Sequence, residues 1–376
     1  MSPERTETVE AAAAVAEAET GGRGSRVLRL SGWVLGLAML VAAVVAIVRE
    51  RAVFEGAVEQ ARSASVAVLA LLVLMPMVNW LLTAGVFAVL MRRQCAMSGS
   101  AGRVGFSEML ALVGSAWLLN LLPLKPGLVG RIAYHKVINR IDLRDSIAAQ
   151  VWSVVCTLAA VVIFVLVQAG VAIAAEPDQL GSVRGWLGFI TASVAPVAGL
   201  VVLASVLAAR GGERGAGLAM LVLAASLRLA DVLVWGARLA LVFLVMGSPQ
   251  PPTVLAAVVA AMMLANLLPI PIGATEWMAG GAVAVLAMSG ALGAPMGGAL
   301  GGAVGGAEGV AMLTTQQALA LGLAAGVLNR AAELIAAVPV GLACTGLIAR
   351  RLAAQKVLGG ARGVAGGVAG GVGVRS

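Results

Sequence analysis

The sequence predicts an all-α polytopic membrane protein built as an inverted repeat, with about six full spans and two re-entrant or broken helices, eight hydrophobic segments in all. Three observations carry this. Of 376 residues, 60% are hydrophobic and 12% charged, and the mean hydropathy is +0.99. A soluble domain is about 45–50% apolar and about 25% charged, so this chain has too few polar side chains to cover a watery surface. Several apolar runs reach the ~18 residues that cross hydrocarbon. A short motif, Asn-Leu-Leu-Pro with Gly four residues later, occurs once in each half. Soluble enzymes, nucleic-acid modules and secreted disulfide scaffolds are excluded.

Residues 1–26 are rich in Ala, Glu, Thr and Gly without an apolar face, and read as a disordered tail. The first span is 28–48; it precedes Arg49-Glu50-Arg51 and has no small-residue cleavage site, so it is retained. Further apolar segments run over 65–91, 106–122, 146–175, 186–209, 217–246, 254–290 and 313–347. The membrane domain is thus 27–349, with halves 27–175 and 186–347. Low-complexity Gly/Ala sequence fills 291–312, and a Gly-rich cytoplasmic tail covers 350–376.

The repeat places Asn120-Leu121-Leu122-Pro123 and Gly127 in register with Asn266-Leu267-Leu268-Pro269 and Gly273, 146 residues on. Each copy closes a 17-residue apolar run, 106–122 and 254–270, that is short for a span. Paired, Pro/Gly-interrupted short segments in the two halves point to a transporter's binding site. The plainer alternative is two helices ending at interfacial prolines. Asn120 and Asn266 would then satisfy backbone groups that the prolines free. Gly127 and Gly273 would supply tight turns whose backbone can approach a ligand.

Loop charge separates two topologies. If all eight segments cross, Lys and Arg divide 13 inside to 10 outside; if both motif segments are re-entrant, they divide 19 to 4, with Arg228, Arg238 and Arg330 left within spans. Positive charge collects on the cytoplasmic side, so the re-entrant topology is preferred. Three crossings and one re-entrant element per half invert the second half. This is the inverted-repeat plan of secondary transporters. It makes a multi-pass protein of the cell membrane with both termini cytoplasmic.

The chemistry available is narrow. There is one histidine, one tyrosine and three scattered cysteines, with no metal-ligand spacing and no disulfide framework. Neither metal nor cofactor is implied, and His135 in a basic connecting stretch is a poor catalytic base, so an enzyme is not expected. The net charge of +8 points to anionic headgroups rather than nucleic acid. His135, Lys136, Arg140 and Arg144, interleaved with Ile and Val, read as an interfacial segment.

Arg228, Asp231, Trp235 and Arg238 fall on one face of a helix by their spacings of 3, 4 and 3. A charge facing lipid costs about 2.5–3.5 kcal/mol, so these side chains must face a partner or water. They form either a phosphate cradle with Asp231 as resting counter-ion, or an internal Arg228–Asp231 packing clamp. Arg330 and Glu333 make a second intramembrane pair. Glu276 follows the second break, where it could cap a half-helix or meet a cationic group. Lys125 and Arg131 flank Gly127 at the first break and could hold a phosphate at a half-helix N-terminus.

At these breaks the sequence resembles the flippase-like membrane region of lysylphosphatidylglycerol synthetases, which also occurs as stand-alone proteins. That family reads Leu-Pro-Gly-Arg-x-Gly-Glu-x-x-Arg at its first break. Pro123, Lys125 in place of Arg, Gly127 and Arg131 match, while Leu128 stands where the family has Glu. Pro269, Pro271, Gly273 and Glu276 fit the Pro-rich second turn, and Arg330 fits a later helix arginine. The resemblance implies movement of phospholipids, or of related polyprenyl-linked lipids, between leaflets. As a stand-alone member without a synthetase domain, the chain would have membrane phospholipids as partners and a separate lipid-modifying enzyme as their source. Two other readings stay open: an intramembrane lipid-modifying transferase, and a non-transporting partner of such an enzyme.

Overall fold

The computed structural model describes residues 62–100, 102–120, 126–174, 183–248, 250–267, 280–283 and 315–369, together with Glu55, Glu59 and Val285; over 172–174, 183–190, 315–316 and 354–369 it describes backbone alone. The tail 1–26, the first span 28–48, the linker 291–312 and both Pro/Gly turns lie outside the described residues. Within them the chain is helical, with α1 (Val66–Ser98), α2 (Phe106–Leu119), α3 (Pro126–Val137), α4 (Leu143–Ala174), α5 (Val183–Arg210), α6 (Gly212–Val245), α7 (Pro252–Leu267) and α8 (Thr315–Ala369). Five stretches are long and apolar enough to span a bilayer: Val66–Ser98, Leu143–Val171, Thr191–Arg210, Gly212–Val245 and Gln317–Ala353. Their outward faces show Val155, Val162, Leu166, Ile335 and Leu342, while Arg228, Asp231, Arg238 and Glu333 are buried. That apolar-outside, charged-inside order suits lipid and not water. The chain is an all-α membrane protein.

Element boundaries follow the repeat. Adding 146 to α1 gives 212–244, against the observed Gly212–Val245, and adding it to α2 gives 252–265, against Pro252–Leu267. Asn120 is the C-cap of α2, and Asn266 is the penultimate residue of α7. At about 1.5 Å per residue, α2, α3 and α7 measure roughly 21, 18 and 24 Å, short of the ~30 Å hydrocarbon core.

α2 and α3 form an antiparallel hairpin. Gly127 in the first turn of α3 lies against Ala116 and Asn120, and Tyr134 further along reaches back to Glu108 at the start of α2. A Cβ on Gly127 would overlap the Ala116 carbonyl oxygen and sit 2.7 Å from its Cα, so glycine here permits backbone-to-backbone packing. Asn120 Oδ1 abuts the same glycine and accepts no hydrogen bond among the described residues.

Both ends of the hairpin lie on one side of the bundle. Ser98 at the end of α1 donates to Asp145 Oδ2 at the start of α4 (2.7 Å). The Arg93 Nε–H of α1 donates to Gly217 O near the start of α6, and Arg351 of α8 pairs with Glu108 of α2. A basic end results, carrying Arg93, Lys136, Arg140, Arg144, Arg210, Arg214 and Arg351. α1 closes there on Gly99, whose φ of 69° gives the left-handed cap that glycine favours.

α6 is the hub, touching α1, α4, α5, α7 and α8, and this is why ionisable side chains survive along it: its faces meet helices rather than lipid. α2 packs on α8 through small residues. A Cβ on Gly114 would stand 2.6 Å from Cys344 Sγ, Gly341 faces Leu118, and Thr345 Oγ1 donates to Ser115 Oγ (3.1 Å). In lipid such close approach replaces the hydrophobic drive to associate.

Two features differ from the sequence expectation. Lys136, Arg140 and Arg144 are exposed, as an interfacial segment requires, but His135 is 1% exposed, because α3 packs against α2 and α4. α8 continues to Ala369, through the stretch read as a Gly-rich tail, because Leu, Ala, Gln and Lys at 352–357 are good helix formers that carry the helix onward.

Candidate functional site

Two ionic clusters lie along α6, about 15 Å apart at 1.5 Å per residue. The first joins three helices. Arg228 Nη1 donates to Asp231 Oδ2 (2.8 Å) and to Thr83 Oγ1 of α1 (3.4 Å), and Nη2 donates to Ser153 Oγ of α4 (2.9 Å). Asn79 of α1 donates to the other carboxylate oxygen, Oδ1 of Asp231 (2.7 Å), and to the Asp231 carbonyl (3.0 Å). Both Asp231 oxygens and both terminal Arg228 nitrogens are used. The geometry is that of a closed clamp between α1, α4 and α6.

The second cluster is less complete. Glu333 of α8 accepts from Trp117 Nε1 of α2 at Oε1 (2.8 Å) and from Arg330 at Oε2 (3.1 Å). Arg238 of α6 approaches Oε2 at only 4.0 Å and stacks on Trp235 with its guanidinium carbon 4.0 Å from the ring centroid. Arg238 is 1% exposed, and among the described residues its Nε and Nη2 have no hydrogen-bond partner. Its counter-ion therefore comes from another helix, at the long limit of an ion pair. A buried guanidinium with unmade hydrogen bonds is costly to hold. An anion accepting from Nε and Nη2 would remove that cost.

A third cation stands on α3. Arg131 donates to Gln150 Oε1 of α4 and stacks over Phe87 of α1, its guanidinium carbon 3.6 Å from the centroid. Burial lowers its pKa to about 9, with Arg228 adding to the shift, so it remains charged at neutral pH. Nearby, Glu108 accepts from the Tyr134 hydroxyl (3.0 Å) and pairs with Arg351 (3.4 Å), tying α2, α3 and α8 together at the basic end.

His135 follows directly, and among the described residues neither ring nitrogen has a hydrogen-bond partner. Burial, reinforced by the Arg131 charge, pulls its pKa from 6.5 down to about 4. The folded protein holds the neutral ring. As pH falls the unfolded chain takes the proton first, so this stability is complete above pH 6.5 and is lost between there and about pH 4. At 1.36 kcal/mol per pH unit, stability at pH 5 should be lower by about 2 kcal/mol. Thermal unfolding of the detergent-solubilised protein should show that drop between pH 7.5 and pH 5, and His135→Leu should flatten it.

Of the site residues read from sequence, Arg228 and Asp231 meet each other, Arg238 and Arg330 meet at Glu333, and Arg131 sits beside Gly127 in the hairpin. Asn266 ends α7 with its side chain exposed. Lys125, Gly273, Glu276, Pro123, Pro269 and Pro271 lie outside the described residues. The structure adds Asn79, Thr83, Ser153, Trp117, Gln150 and Glu108, whose roles come from partners 19 to 216 residues away. Asn79 alone carried a sequence signal, as a lone amide inside an apolar run. The fold and these clusters define a polytopic all-α membrane protein with an ionic network buried among its helices. Compared with known proteins, the chain matches no family model, no curated protein and no solved structure.

Proposed function

We propose that the chain moves a phosphate-bearing lipid between the leaflets of the cell membrane, in the manner of the flippase-like region it resembles at its two breaks. The observation that carries this is Arg238: a guanidinium 1% exposed, 4.0 Å from its described acid and with two nitrogens unbonded among the described residues. Arginine's fork matches phosphate oxygens, so a lipid phosphate passing α6 meets a prepared acceptor of its charge.

The architecture supports the same reading. The α2–α3 hairpin enters and leaves at one end of the bundle and is too short to cross, as a re-entrant element would be. α1–α2 and α6–α7 recur at 146 residues, in keeping with an inverted repeat of eight segments. The basic end is assigned to the cytoplasm on the positive-inside rule, which puts both termini there. In this proposal Arg238 and Arg330 handle the phosphate with Glu333 as resting counter-ion, Arg228 and Asp231 brace the helix that carries Arg238, and Lys125, Gly273 and Glu276 belong to the two turns.

The test is a leaflet-resolved lipid assay in reconstituted vesicles. Arg238→Ala should lower the rate of phospholipid movement at least tenfold while monodisperse recovery stays unchanged, because it removes an awkward charge and leaves Glu333 bonded to Arg330 and Trp117. Normal transport by this variant would overturn the assignment.

A further inference from the structure

A cavity of about 340 Å³ lies between α2, α3 and the far end of the α8 span. This is within the roughly 300–1,000 Å³ range of small-molecule sites. Leu112, Leu119, Val137, Ile138, Ile348 and Leu352 make its walls apolar. Gly130 lines it, and a Cβ there would meet nothing within 4 Å, so a larger side chain has room to grow at this position. One cation, Arg131, lines it. Its partners are the neutral Gln150 and Phe87, no carboxylate pairs with it among the described residues, and Arg228, close enough to perturb it, has the same sign. Glu108, beside the Tyr134 end, is already held by Tyr134 and Arg351.

We propose that this cavity binds one hydrocarbon chain of an anionic lipid whose phosphate pairs with Arg131. The apolar walls call for hydrocarbon and not for free phosphate, and the uncompensated guanidinium calls for a negative head. With no free carboxylate described at the site, a zwitterionic head gains nothing for its cationic part and is discriminated against. The inference deepens the transport reading by naming a subsite and a charge preference, and it rests on that reading only for its purpose.

The experiment uses the full chain in nanodiscs and phosphatidic acid bearing a diazirine in one acyl chain, with labelled peptides mapped by mass spectrometry. A phosphatidylcholine with the same chain is run beside it. Phosphatidic acid should label peptides spanning 112–119, 130–138 and 348–352. Gly130→Leu and Ala133→Phe, two independent ways of filling the space, should each cut that labelling at least fivefold at equal monodisperse recovery. Arg131→Gln should reduce phosphatidic acid to the phosphatidylcholine level. Labelling that survives both filling variants, or that is equal for the two lipids in the unmodified protein, overturns the proposal. Labelling here in a protein that moves no lipid supports the site and removes the transport reading; transport without labelling here does the reverse.

Discussion

Asp231→Ala is expected to abolish recovery of folded protein. The Asp231 carboxylate is 3% exposed by residue and has both oxygens occupied, one by Asn79 of α1 and one by Arg228, which in turn holds Ser153 of α4. Truncating it leaves the buried Arg228 guanidinium without its counter-ion, with only the Thr83 and Ser153 hydroxyls as acceptors, and leaves Asn79 only the backbone carbonyl at 231. Breaking a buried pair by removing one partner costs about 3–5 kcal/mol, a large share of the roughly 5–15 kcal/mol that holds a typical fold. The loss should appear as aggregation on size exclusion in detergent and as a thermal midpoint far below that of the unmodified chain. Replacing both partners, Arg228→Met with Asp231→Leu, should restore most of the stability, because no unpaired charge remains. A stable Asp231→Ala protein would mean that the clamp does not hold α1, α4 and α6 together.

Gly127→Leu should fail in a different way. From sequence, this glycine reads as a turn residue that lets backbone approach a ligand, so that substitution would spare folding. The structure places it where α3 crosses α2, with the Ala116 backbone and Asn120 Oδ1 in the space that a side chain needs; the latter would be 2.8 Å away. Backbone cannot give way as a flexible side chain can, so the hairpin must open. Overpacking costs about 1–3 kcal/mol where neighbours can adjust and more where they cannot. Cysteines introduced at Glu108 and Tyr134 should cross-link in the unmodified hairpin and lose the cross-link in the Gly127→Leu background. Retained cross-linking at full yield would show that α2 and α3 separate without cost.

Much of the fold was legible in the chain because membranes impose simple rules. Runs of Leu, Val and Ala long enough to cross hydrocarbon declare α1, α4, α5, α6 and α8, and the recurrence of Asn-Leu-Leu-Pro anticipated that α2 and α7 would be short. The Arg228–Asp231 and Arg330–Glu333 pairs were also visible, since partners three residues apart on one helix need no tertiary information. The clamp's outer members were not. Asn79, Thr83 and Ser153 are ordinary polar residues until α1 and α4 bring them to Arg228.

α3 was the hardest element to foresee. Its basic residues and interleaved isoleucines suit a surface segment, and the pattern does not say that Gly127 and Tyr134 will lay it along α2 and bury His135. Likewise, the spacing of Arg238 on its own helix shows no counter-ion, because Glu333 reaches it from α8. Hydrophobic length and helical spacing are local properties and pass directly from sequence to structure. Which helices touch, and so which charges are neutralised and which left wanting, depends on side chains 19 to 216 residues apart meeting in one place. That was settled only by the packing of α1, α4 and α8 on α6 and of α2 on α8.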